Sequence, residues 1–235
     1  MARLIGVNRP FAQGKWLQLK GAVLLTAAPV GFLLPPGLDM SIMPPFRDAV
    51  ISIERNGIGR VSALGLGNPD VIPLWFGETD LPTPPFIRDA AKQALDDGRT
   101  FYTFSRGIPQ LRTAIQSWTK RHYGVQLDEE RISVPGSSMM CVNIALQLCL
   151  NAGDNAVIVS PIWPNIFNVV RQMGAEPRMV RLDPPGASPA WRLDLEKVYT
   201  ACDQKTRAIF VCSPGNPTGW MISRPEQQAL LEFAR

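Results

Sequence analysis

Histidine is nearly missing from this chain: His122 is the only one among 235 residues. A histidine-based proton relay or a zinc site needs more than that. Cysteine is sparse as well. Cys141, Cys149, Cys202 and Cys212 form no C-x-x-C pair and stand apart from the histidine. They read as buried, reduced thiols of a cytoplasmic protein. Charged residues make up only 19%, the net charge is +4, and no lysine or arginine run concentrates it. The basic tract that marks a nucleic-acid partner is therefore lacking. The glycine clusters Gly57-Ile58-Gly59 and Gly65-Leu66-Gly67 do not have the G-x-G-x-x-G spacing between a strand and a helix, so no dinucleotide fingerprint is present. The apolar stretch Ala22 to Leu34 is too short to span a bilayer and is interrupted by Pro29, so we expect no membrane partner.

What the chain does have is a hydrophobic content of 46%, enough for a packed core. Its 22 prolines fall largely in pairs, at Pro35-Pro36, Pro44-Pro45, Pro84-Pro85 and Pro184-Pro185, and punctuate loops rather than forming one tract. Residues 1–42 stand apart: Arg3, Arg9, Lys15 and Lys20 precede the apolar stretch. That order resembles a signal peptide, but no small-x-small cleavage site follows. We expect an unstructured arm, or upstream sequence translated from too early a start, with Met40 or Met43 as the alternative.

From residue 84 the pattern becomes regular. Pro84-Pro85 opens a helix whose stripe is Ile87, Ala91, Ala94 and Leu95 and whose stop is Gly98. A second helix carries Leu111, Ala114, Ile115 and Trp118 on one face and ends at Gly124. A third starts near Ser138 and runs to the Asn151-Ala152-Gly153-Asp154 turn. Ala156-Val157-Ile158-Val159 is a short, wholly apolar run, the pattern of a strand buried on both faces. A helix near Asn165 to Met173, a strand at Arg178 to Leu182, a helix at Leu193 to Cys202 and a strand at Ala208 to Cys212 follow. Ser223-x-x-Glu226, with Pro225 in the first turn, is a capping box that opens the last helix. This alternation predicts an α/β domain with a mostly parallel sheet.

Ligands of such sheets bind beyond the carboxyl ends of the strands. Three segments there draw notice. Gly136-Ser137-Ser138 puts two hydroxyls at a helix N-terminus, where free N–H groups favour an anion; the plain alternative is an ordinary serine cap. Trp163, between Ile162 and Pro164 just past a strand, offers a flat indole for stacking or is simply buried. Asn216, held by Pro217 in Asn216-Pro217-Thr218-Gly219, presents an amide as a donor or merely forms a turn. Tyr102, in a glycine-bounded loop, offers a phenol or anchors that loop.

In this order the segments closely resemble one family. Gly77-Glu78-Thr79-Asp80-Leu81-Pro82-Thr83-Pro84 is similar to the G-E-P-D-F-x-T-P opening of class I aminotransferases. Tyr102-Thr103…Gly107-Ile108-Pro109…Leu111-Arg112 resembles Y-T-x-x-x-G-x-x-x-L-R. Gly136-Ser137-Ser138, Pro161-Ile162-Trp163-Pro164-Asn165 and Ser213-Pro214-Gly215-Asn216-Pro217-Thr218-Gly219 resemble the family's phosphate turn, P-x-W-P-N and S-P-x-N-P-T-G. The likeness covers residues 43 to 235.

The resemblance implies a three-layer fold of the type I pyridoxal-phosphate (PLP) transferases, incomplete at the C-terminus, with 43–82 in the small domain and 83–235 in the large one. It implies a cofactor, pyridoxal 5′-phosphate, whose phosphate is held by Gly136, the N–H of Ser137 and the hydroxyl of Ser138. Trp163 would stack on the ring, and Asn216 would bond its phenolic oxygen. Gly77, with Trp163 and Asn216, would line the substrate site. Tyr102 would reach the phosphate of a homodimer partner. The substrates would be an amino acid and a 2-oxo acid. A β-lyase, another PLP enzyme on this fold, or a non-catalytic aminotransferase-like domain would share the same visible half. The six lysines, Lys15, Lys20, Lys92, Lys120, Lys197 and Lys205, lie outside any S-x-x-K context. The lysine that holds the cofactor is thus expected beyond Arg235, with an inactive 235-residue fragment, an open strand edge and poor solubility as consequences.

Overall fold

The computed structural model describes residues 47–51, 53, 57–186 and 190–235. The expected arm, residues 1–42, lies outside them. Residues Asp48–Arg235 form one compact unit. Two short helices come first, α1 (Asp48–Ile51) and α2 (Gly57–Ser62), then α3 (Pro85–Asp96) and α4 (Pro109–Tyr123). A 3-10 turn, Glu129–Arg131, leads to α5 (Ser138–Cys149). The alternating part runs β1 (Asn155–Ser160), α6 (Asn165–Gln172), β2 (Glu176–Arg181), α7 (Leu195–Ala201), β3 (Thr206–Phe210) and α8 (Arg224–Phe233).

The three strands are parallel in the order β2-β1-β3. β1 is the centre, and all six of its residues are buried, the four from Ala156 to Val159 as their unbroken apolar run predicts. Alternation along it divides the core in two. Ala156 and Ile158 face Leu146 of α5, Leu150 just after it, and Ile166, Val169 and Val170 of α6. Val157 and Val159 face Val198 of α7, Leu230 of α8, Val180 and Leu182. The result is three layers, with α5 and α6 on one face and α7 and α8 on the other. Each fully buried Val or Ile at this centre contributes about 1.5–3 kcal/mol by leaving water.

The chain order explains the sheet order. β1 reaches β2 through α6 on one face, and β2 reaches β3 through α7 on the other. Crossovers of one hand on opposite faces travel in opposite directions. β3 therefore comes back past β2 and lands on the far side of β1. Between β1 and β3 the direction of winding reverses, and the crevice of an open α/β sheet opens at such a point.

Several elements depart from expectation. β2 starts at Glu176 rather than Arg178, and β3 covers Thr206–Phe210 rather than 208–212. Pro177 is tolerated because β2 has only one partner among the described residues, so a missing N–H can face outward. Thr206 pairs with Asn155 while Ala208 pairs with Ala156, so Arg207 is skipped in a bulge. The stripe of α3 exists, yet the helix has no buried residue, and Phe86, Ile87 and Leu95 are exposed. On α4 only Arg112 is buried, while Leu111 and Trp118 are half exposed. The capping box of α8 forms as expected: Ser223 accepts from the Glu226 N–H, and the Glu226 carboxylate accepts from the Ser223 N–H at 2.7 Å. The free cysteines also differ from expectation, since Cys141 and Cys149 are exposed on α5; its buried face is taken by Leu146 and the neighbouring Leu150 instead.

Candidate functional site

The loops that follow β1 and β3 leave the sheet at its carboxyl end, side by side, because Ile158 of β1 pairs with Phe210 of β3. The first loop carries Trp163 and the second carries Asn216. α5 brings the third segment to the same end. Its last turn leads through Asn151–Asp154 into the amino end of β1, a junction held where Gly153 donates to the Gly174 carbonyl at 2.9 Å. The 12 residues of α5 rise about 18 Å. The six residues of β1 cover about 20 Å. Running back along the sheet, α5 places its N-terminus level with the carboxyl ends of the strands. Met139, next to Ser138, packs on the same apolar cluster as Ile162, next to Trp163, and as Phe210.

Ser137 is the N-cap of α5, and its hydroxyl oxygen accepts from the Met140 N–H at 3.2 Å. The Ser137 carbonyl accepts from Cys141. That leaves the N–H groups of Ser138 and Met139 open, as in any first helical turn, beside the exposed Ser138 hydroxyl. A Cβ placed on Gly136 would meet nothing within 4 Å, so the space in front of the turn is clear. Ser137 thus does the capping, and the Ser138 hydroxyl is not used for it.

The loop after β3 is stiff. Gly215 donates to the Trp220 carbonyl at 2.7 Å, and Gly219 donates to the Gly215 carbonyl at 2.7 Å. Ile222 donates to the Ser213 hydroxyl at 3.1 Å, and Trp220 to the Thr218 hydroxyl at 3.3 Å. A Cβ on Gly215 would stand 2.7 Å from Thr218 Oγ1, and Gly219 has φ +69°. Asn216 is thereby held exposed at the tip. The peptide bonds before Pro161, Pro214 and Pro217 are cis. Trp163 is half-buried. Ser160, the last residue of β1, is 4% exposed and donates to the Val180 carbonyl at 3.4 Å, which fixes where the Trp163 loop departs.

Gly136, Ser137, Ser138, Trp163 and Asn216 thus gather at one end of the sheet. Gly77 and Tyr102 belong to other segments. Gly77 lies in the exposed stretch before α3, with nothing within 4 Å of a would-be Cβ. Tyr102 is fully exposed in the loop before α4. Charge shifts lie away from these loops. Asp203 is held at about 2, chiefly by the hydrogen bond from Asn155, at the amino ends of the strands. Lys197 is raised by its bond to Asp183. An open groove of about 720 Å³ beside β2 and α7, lined by Met179, Leu182, Asp183 and Lys197, shares no residue with the three loops.

Two features escaped the reading of the sequence. Gly215, an unspecified position of its motif, stands where a Cβ would come within 2.7 Å of Thr218 Oγ1 in the turn that carries Asn216. Arg106 and Arg112 tie the loop of Tyr102 and the start of α4 to Glu129 and Glu130. Pairings across that separation leave no local periodicity to read.

Residues 69–235 match the family described as aminotransferase class I and II. The chain is 32% identical over 169 residues to a probable aspartate aminotransferase of Methanocaldococcus jannaschii, covering 72% of this chain and 44% of that one. It is 35% identical over 169 residues to an aspartate/prephenate aminotransferase of Cereibacter sphaeroides, with 72% and 42% covered. Among solved structures, aspartate aminotransferase from Thermus thermophilus with maleate superimposes with a TM-score of 0.74 at 29% identity, over 82% of this chain and 50% of that one. Aspartate aminotransferase from Rhizobium meliloti gives 0.70 at 31% identity, over 81% and 48%. The chain spans less than half the length of these two curated relatives. Its sheet, its three loops and its sequence over residues 69–235 place it in one lineage: the chain belongs to the class I and II aminotransferase family.

Proposed function

We propose that this chain is the cofactor-cradling portion of a pyridoxal-phosphate-dependent aminotransferase, which moves an amino group between an amino acid and a 2-oxo acid. One observation supports the reading: the loops of Trp163 and Asn216 leave neighbouring strands at the end where the sheet reverses its winding, and α5, which begins at the serine turn, packs on the same sheet. In this reading residues 43–82 belong to a small domain and 83–235 to the large one. The names of the relatives favour aspartate as the amino donor.

The donor set fits a phosphorylated flat ring. A phosphate ester is a dianion that wants several convergent donors and little steric bulk. Two open N–H groups, the Ser138 hydroxyl and the clear space beside Gly136 supply this, together with the N–H of Ser137. Trp163 offers a face for the ring, and the Asn216 amide offers a donor to its phenolic oxygen. When bound, the pyridine ring supplies an electron sink for the carbanion at the substrate Cα. The chain's own residues bind and orient. Ser138 and the α5 N-terminus fix the phosphate end, Trp163 fixes the plane, and Asn216 fixes the rotation within that plane. Gly77 leaves room for the substrate carboxylate. Tyr102 extends toward the phosphate of a second copy, which makes a homodimer the working unit.

The lysines of the described residues stand elsewhere. Lys92 pairs with Asp89, and Lys197 with Asp183. Lys120 is on α4, and Lys205 is in the turn before β3. In this reading none of them shuttles the proton.

Pyridoxine 5′-phosphate tests the cradle, because it lacks the aldehyde that would react with surface lysines. Calorimetric titration is expected to show saturable binding that disappears with unphosphorylated pyridoxine. Ser138→Ala is expected to weaken it about tenfold, the loss of one hydrogen bond to a charged group. Binding that ignores both the phosphate and Ser138 would contradict the proposal.

A further inference from the structure

Tyr102 and the serine turn are far apart in sequence, yet one side chain joins the segments that carry them. Arg106, four residues after Tyr102, donates through its guanidinium to the Glu130 carboxylate and to the Glu130 carbonyl. Its Nε donates to the Ser133 hydroxyl at 3.2 Å. Its backbone carbonyl accepts from the Val134 N–H at 3.0 Å. Gly107, at φ +98°, presses against Val134 so closely that a Cβ would stand 2.8 Å from the Val134 Cβ. Six residues after Arg106, in the first turn of α4, Arg112 is 8% exposed and holds Glu129 at 2.7 Å. The segment gripped in this way, Glu129 to Val134, runs on into Gly136-Ser137-Ser138 with only Pro135 between.

We infer that Arg106 is a positioning residue for phosphate binding: it fastens the Tyr102 loop to the segment that ends in the serine turn, so that both phosphate-directed groups are set in one frame. The inference rests on the proposed function, which gives Tyr102 and Ser138 their ligand. The physical basis is the fork of the guanidinium. A planar group bonded to a carboxylate, a carbonyl and a hydroxyl fixes direction as well as distance. Tyr102 itself is fully exposed and forms no hydrogen bond among the described residues, so its placement depends on how the loop is tethered. A group aimed by a support that is off by an ångström loses most of its effect.

The test is a double-mutant cycle on the 235-residue chain, read as pyridoxine 5′-phosphate affinity and, separately, as melting temperature. Tyr102→Phe and Arg106→Met are each expected to weaken binding about fivefold, and the double variant no more than the worse single one. Arg106→Lys, which keeps the charge without the fork, is expected to fall between. Ser133→Ala removes a single acceptor and serves if Arg106→Met does not fold; a twofold to threefold loss is expected. If Ser138→Ala weakens binding but the Arg106 and Ser133 variants only lower the melting temperature, Arg106 is structural and the inference fails while the proposed function stands. Losses that multiply in the double variant overturn it equally. If the unmodified chain shows no phosphate-dependent binding, the proposed function falls and this inference with it.

Discussion

Asn155, the first residue of β1 and 1% exposed, donates its side-chain amide to the Asp203 carboxylate at 2.8 Å in the turn before β3. Its own oxygen accepts from the Thr206 hydroxyl at 2.7 Å. Arg178 of β2 reaches the same aspartate at 2.8 Å and the Ala201 carbonyl at 3.0 Å. One buried amide thereby ties together the amino ends of three parallel strands, at the end of the sheet opposite the loops of Trp163 and Asn216.

That network predicts an acid limit to stability. The Asn155 amide, then the Lys205 N–H and Arg178, hold Asp203 at about 2 against an ordinary value of 3.8. A carboxylate whose folded value is depressed contributes stability above its unfolded value, and the contribution is lost as pH falls through the folded value. The chain is expected to lose stability between pH 3.8 and about 2. Asp203→Asn should lower the melting temperature near neutral pH and flatten its slope across that window. An unchanged slope in the variant would show that the network does not act as a unit.

The serine pair should separate cleanly. Ser137 caps α5 through the Met140 N–H, so Ser137→Ala is expected to cost about 1 kcal/mol in denaturant unfolding. Ser138 caps nothing, so Ser138→Ala should leave stability within about 0.5 kcal/mol. Its effect should appear in pyridoxine 5′-phosphate binding alone.

Glycines at the site should separate in the same way. Gly215→Ala places a Cβ 2.7 Å from Thr218 Oγ1 and is expected to destabilise by about 1–3 kcal/mol while misdirecting Asn216. Gly136→Ala meets nothing within 4 Å. It should leave the melting temperature unchanged and weaken phosphate binding by crowding the space the ligand needs. Thermal melts and titrations on both variants check the pair.

At the centre of the sheet, Ile158 has no exposed surface. Ile158→Ala is expected to cost about 2–5 kcal/mol, against less than about 0.5 kcal/mol for a substitution at exposed Leu148. Chemical denaturation measures both.

The central strand was legible because its short apolar core, bounded by turn residues, suits a strand covered on both faces, and the capping box at Ser223 because its two bonds are local. The family was legible because each of its motifs is contiguous in the chain. Burial was harder. The stripe Ile87, Ala91, Ala94 and Leu95 correctly marks a helix, but periodicity says only which face is apolar, not what covers it, and on α3 it stays exposed. Strand bounds shifted where edge position outweighed propensity, at Pro177, and where a bulge admitted Thr206 and Arg207. The grip of Arg106 on Glu130 and Ser133 was invisible because it depends on two loops meeting in space.

Amide and side-chain chemical shifts of the 15N-labelled chain, followed while pyridoxine 5′-phosphate is added, test the convergence most directly. The account predicts that the Ser138 and Met139 amides, the Trp163 indole N–H and the Asn216 side-chain amide move together along one saturation curve. Shifts confined to the groove at Met179, Lys197 and Thr200, with those four signals still, would contradict it.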